Sequence, residues 1–151
     1  MKMTLSRALR YKKRVVEKVR KLEGDIQAFN SRISGAVEPV NVVDCLLSRK
    51  KSIEHLLELK VALQKATAPI MPKILELGEL KSEIRFLSGL NVTEGKQPQR
   101  YMEAEPTFYV VTINKKERDK LITELEGRID ELQSEIDLHN AKTEIELSQE
   151  L

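Results

Sequence analysis

The chain has 151 residues, of which 33% are charged and 4% aromatic, with no tryptophan and a formal net charge of +2. That length suits one helical domain spanning residues 1–151 with a core of Leu, Ile and Val, and the absence of a strong net charge excludes a global basic field. Charge is informative here only by region.

Helix one is expected to begin after Thr4, a favoured N-cap, and to run to about Ile33. Val15, Val19, Leu22, Ile26, Phe29 and Ile33 recur at spacings of 4, 3, 4, 3 and 4, which draws one narrow apolar stripe. Gly24 lies off that stripe, and Ser34-Gly35 supplies a left-handed helix end. Residues 1–21 hold nine Lys/Arg against the single acid Glu17. Among them Arg7, Arg10, Arg14 and Lys18 line one face, with Tyr11 among the charges.

A connection containing Pro39 leads to Asn41, a second N-cap, and helix two is expected from about Val42 to Ala66. Its apolar residues Leu46, Leu47, Ile53, Leu56, Leu57, Leu59, Val61 and Leu63 cover an arc wide enough for two neighbours. The cluster Arg49-Lys50-Lys51 interrupts that arc and is assigned to solvent. Cys45 has no partner in the chain for a disulfide, and its apolar neighbours suit an inert thiol. Pro69 and Pro72 remove two N–H donors and mark a boundary or kink. Helix three then follows to about Phe86, with Ile74, Leu77, Leu80, Ile84 and Leu87 on one face.

Residues 88–113 differ in kind. A strand is expected to begin within Ser88–Val92, and Glu94–Pro106 reads as a long mobile loop. Thr107–Ile113 is rich in β-branched and aromatic residues and reads as the best strand of the chain. Together they form a small β-hairpin inserted before the last helix. Asn114, with Glu117 three residues on, caps that helix. Ile122, Leu125, Ile129, Leu132, Ile136 and His139 repeat the rhythm of helix one, and residues 117–151 hold eleven Asp/Glu against four Lys/Arg. Matching rhythm and opposite charge pair the first helix with the last, within one chain or between chains. Apolar burial supplies most of that stability and charge selects the register. The expected fold is therefore mainly α: an antiparallel bundle of long helices with a small hairpin.

No catalytic motif is present. The chain lacks G-x-x-x-x-G-K-[ST], G-x-G-x-x-G and G-x-S-x-G. Neither His55 nor His139 has a metal-ligand spacing, so no enzyme, metal or cofactor is expected. Residues 1–7 lack the apolar core of a signal peptide. No apolar run reaches the ~18 residues of a transmembrane helix, so a cytoplasmic chain is expected.

The N-terminal Leu5-Ser6-Arg7-Ala8-Leu9 is similar to the opening helix of the septicolysin-like family of small bacterial proteins. The C-terminal Arg128-Ile129-Asp130-Glu131-Leu132-Gln133-Ser134-Glu135-Ile136, then Asn140 and Thr143-Glu144-Ile145, resembles its closing helix. Ala141 departs from the Trp expected after the Asn. The family name implies membrane lysis, and the resemblance carries over no site residue.

Three functions are open at this point. The first is a non-enzymatic helical protein that assembles with itself, as a homo-oligomer, or with a protein partner, its long helices making the scaffold and the hairpin with the 94–106 loop supplying the recognition surface. The second is an oligomer that binds or sequesters an anionic small molecule such as a nucleotide, through Arg7, Arg10, Arg14, Arg85, Lys96 and Arg100. The third is action at an anionic membrane surface through helix one. Nucleic acid is not the favoured partner, because the acidic last helix offers the basic face a partner in the same chain.

Overall fold

The computed structural model describes residues 1–97 and 105–148. The fold is mainly α with a small antiparallel hairpin. The chain divides into two compact units: Met1–Met71 with Asp137–Leu151, and Pro72–Ile136.

The first unit is built on two long helices, α1 (Leu5–Phe29) and α2 (Val42–Thr67). Each begins where a polar side chain satisfies open backbone donors. The Thr4 hydroxyl accepts from the Arg7 amide at 3.4 Å, and Asn41 Oδ1 accepts from the amides of Val43 and Asp44 at 2.9 and 3.1 Å. Helix α1 stops at Phe29, so Ile33 lies beyond it and is exposed, shortening the expected stripe by a turn. Gly35 does adopt the left-handed conformation, at φ +81°, but within the connection to α2.

Tyr11 meets His55 and Glu23 meets Arg49, so α1 and α2 run antiparallel. Leu5, Ala8, Tyr11, Val15 and Val19 are buried on α1; Ser52, His55, Leu56, Leu59 and Leu63 are buried on α2. Within the chain, this corrects the expected partner of the first helix. Its seam is filled by α2, whose own inward row of Cys45, Arg49, Ser52, Leu56, Leu59 and Leu63 follows the same 4, 3, 4, 3, 4 rhythm. Arg49 and Ser52 disguise that row in the sequence. The Arg49 side chain stays 41% exposed while its guanidinium reaches Glu23 at 2.7 Å.

The two ends of the chain do meet, as strands. β1 (Lys2–Thr4) pairs antiparallel with β4 (Glu144–Glu146), with Met3 opposite Ile145. Both side chains are buried and, with Leu147, close one end of the α1–α2 core. Alternation along β4 turns Glu144 and Glu146 outward, and Lys2 pairs with Glu144 at 2.7 Å. The Leu5 amide donates to the Thr143 carbonyl at 2.7 Å, tying the start of α1 to the residue before β4.

Pro69 sits in a single 3-10 turn, Ala68–Ile70, which leads from α2 into α3 (Met71–Ser88). The second unit contains most of α3, the hairpin, and α4 (Lys115–Lys142) as far as Ile136. Ion pairs Lys73–Glu135 and Glu76–Arg128, the latter at 3.0 Å, set α3 and α4 antiparallel. The Asn114–Glu117 capping box forms in both directions, each bond 2.9 Å.

The hairpin is smaller than expected and starts later. β2 is Gly95–Gln97 rather than the segment around Ser88–Val92. β3 is Thr107–Tyr109 and not the whole of 107–113. Three residues of β2 can pair only three of β3, so Val110 is left outside the ladder and 96% exposed. The loop expected over 94–106 falls largely on residues 98–104, which lie outside the described residues.

Candidate functional site

Three features of the structure carry chemistry. The first is a basic concavity on α1. Arg7, Arg10, Lys13 and Arg14 line an open hollow of about 550 Å³. All four are exposed, and among the described residues none forms an ion pair or a side-chain hydrogen bond. α1 packs on α2, which is itself rich in Lys and Arg, and among the described residues these four side chains pair with no acid. Four like charges within two turns repel one another, and an anion relieves that repulsion. The Arg14 guanidinium lies 5.4 Å from the ring centroid of Tyr11.

The structure therefore brings together three of the six residues assigned to an anion site, Arg7, Arg10 and Arg14. Lys13 completes the lining and was legible in the sequence as the next i+3 step from Arg10. Lys18 is exposed but does not line the hollow. Arg85 on α3 and Lys96 on β2 belong to the second unit and are both exposed. Arg100 lies outside the described residues.

The second feature is a polar chain that runs from the buried Tyr11–His55 pair out to the exposed Ser148. The Tyr11 hydroxyl and His55 Nε2 share a hydrogen bond of 3.1 Å, and the two rings meet edge to face. His55 Nδ1 is 3.9 Å from Glu58 Oε2. Glu58 in turn accepts from the Ser148 amide at 2.7 Å and from its hydroxyl at 2.8 Å. These bonds, the backbone one foremost, hold the Glu58 carboxyl below its ordinary pKa. Tyr11 thus leaves the exposed charged face on which the sequence placed it and sits 7% exposed in the seam. Ser52 Oγ is buried and has no hydrogen-bond partner among the described residues. His139 Nε2 lies 2.9 Å from the Ala66 carbonyl and 3.3 Å from Thr143 Oγ1. Among the described residues no cluster of His, Cys, Asp or Glu could hold a metal ion.

The third feature is exposed apolar surface. On α2, Val43, Leu47 and Leu57 are 64%, 56% and 64% exposed, with Leu46, Ile53 and Val61 beside them. In the second unit Leu90, Asn91, Thr93 and residues 109–113 line a cleft of about 320 Å³ beside the hairpin. There Phe108 and Val110 are exposed.

No protein-family model matches the chain, and no curated protein or solved structure shows significant similarity to it. None of the helices, over the described residues, is long and apolar enough to cross a membrane.

Proposed function

We propose that the protein is a non-enzymatic helical scaffold that works by assembling with copies of itself or with a protein partner. The observation that carries this reading is the outward face of α2, where five Leu, Ile or Val side chains besides Val43 stand at least 38% exposed. Apolar residues repeated along one helix face, here on either side of the charged pair Lys50 and Glu54, mark an interaction surface, whereas scattered exposed apolar residues do not. Helix two has two seams, and its own chain fills the inward one. Size-exclusion chromatography with light scattering tests the reading. A mass that rises above one chain between low and high micromolar concentration supports it. A single-chain mass throughout removes self-assembly.

A second reading is favoured by the basic concavity of Arg7, Arg10, Lys13 and Arg14. We infer that this face captures an anionic small molecule, with a nucleotide phosphate as the matching chemistry. Thermal shift against a panel of linear and cyclic nucleotides tests it. A shift in the wild type that disappears in Arg7→Glu/Arg14→Glu supports capture, and no shift across the panel removes it.

A further inference from the structure

The outward face of α2 has a pattern more specific than exposure. Val43, Leu47, Lys50, Glu54, Leu57 and Val61 recur at spacings of 4, 3, 4, 3 and 4, a heptad seam of its own. All six are exposed, and they lie opposite the inward row of Cys45, Arg49, Ser52, Leu56, Leu59 and Leu63. The outward seam is a palindrome in chemistry: β-branched, Leu, charge, charge, Leu, β-branched. Only the two central residues differ in sign.

That pattern selects its own occupant. We propose that α2 pairs with α2 of a second copy, antiparallel about a two-fold axis at the level of Ser52. In this register Val43 faces the partner's Val61, Leu47 the partner's Leu57, and Lys50 the partner's Glu54. Each of the three pairings occurs twice by symmetry. The seam positions alternate correctly, because an antiparallel helix pair sets each a position against a d position of its partner. A parallel pair would set Lys50 against Lys50 and Glu54 against Glu54, so the central charges exclude it. Polar residues at seam positions fix register and orientation in this way, at some cost in stability. Among the described residues Lys50 and Glu54 form no ion pair or hydrogen bond within their own chain, which leaves both for the partner. Leu46 and Ile53 widen the row on one side.

The row from Val43 to Val61 is about 27 Å long at 1.5 Å per residue. One helix face per copy falls at or below the low end of the roughly 1,200–2,000 Å² of specific interfaces, so dissociation in the micromolar range is expected. The two-fold pairing presupposes the assembly reading given above.

Charge reversal followed by sedimentation velocity tests it. Lys50→Glu makes both central residues acidic, and Glu54→Lys makes both basic. Symmetry doubles each repulsion, so either variant alone should dimerise at least about tenfold more weakly than wild type. Mixing the two variants in equal amounts should restore a dimer, since each acidic pair then faces a basic one. The double variant Lys50→Glu/Glu54→Lys should dimerise like wild type. Both positions are exposed and unpaired, and far-UV circular dichroism confirms that each variant remains helical. A wild type that dimerises while the single variants are unaffected overturns this register and leaves the assembly reading standing. A wild type that stays a single chain at high micromolar concentration overturns the pairing and self-assembly together.

Discussion

Leu57 and Leu59 lie two residues apart on α2 and offer a matched test of which face is covered. Leu59 is 0% exposed and packed in the cluster of Leu5, Ala8, Leu56, Leu63, Ile145 and Leu147; Leu57 is 64% exposed. Leu59→Ala forfeits the transfer of the lost carbons, about 0.8 kcal/mol for each, and leaves a cavity, so a loss of about 2–5 kcal/mol is expected. Leu57 has roughly a third of its side chain covered and borders no enclosed space. Its truncation should cost less than about 1 kcal/mol, and the higher helix propensity of Ala offsets part of that. Urea unfolding at low micromolar concentration, followed by ellipticity, measures both in chains that are not assembled. At high concentration the order changes: Leu57→Ala should weaken self-association, and Leu59→Ala should act through stability alone. Equal losses for the two variants in the dilute chain would refute the assignment of faces on α2.

Tyr11→Phe removes the hydroxyl that meets His55 at 3.1 Å and should cost about 1–2 kcal/mol, read as a lower urea midpoint and a shifted His55 ring signal in NMR. Ser52→Ala deletes a buried hydroxyl without a partner and should leave the urea midpoint unchanged or raise it. Asn114→Ala breaks the capping box of α4 and should cost about 1 kcal/mol, seen as faster amide exchange in the first turn of that helix. The Glu58 carboxyl is held below its ordinary pKa, so the stability it lends is present above the unfolded carboxylate pKa and is lost as pH falls through the lowered folded value. Acidification should therefore lower the protection of the Ser148 amide relative to its intrinsic exchange rate, and Glu58→Gln should flatten that pH dependence.

The elements whose signals are local were legible in the sequence. Asn41 and Asn114 each carry a capping side chain, and the starts of α2 and α4 follow directly. The Pro69–Pro72 segment was legible as a boundary, whereas the wide apolar arc of α2 called for two neighbours and the structure places α1 on one side of it and leaves the other exposed. The partner of α1 was not legible, because a heptad stripe says which side of a helix is apolar and nothing about what covers it. Opposite charge pointed to α4, whereas the true seam of α2 hid behind Arg49 and Ser52. The β1–β4 pair depends on contact between the two ends of the chain, and three-residue strands leave no periodic trace. Strand propensity at 107–113 exceeded the strand because β3 stops at Tyr109, opposite Gly95, where β2 begins. In the basic site Arg7, Arg10 and Arg14 followed from helical spacing. The burial of Tyr11 depended on which helix packs against it.

Native mass spectrometry of the intact chain across concentration bears most directly on the claim that this molecule works by assembly through a second seam on α2. A two-chain species is predicted for the wild type, weakened by Lys50→Glu or Glu54→Lys alone and recovered when those two variants are mixed. Single chains alone at high micromolar concentration would contradict it.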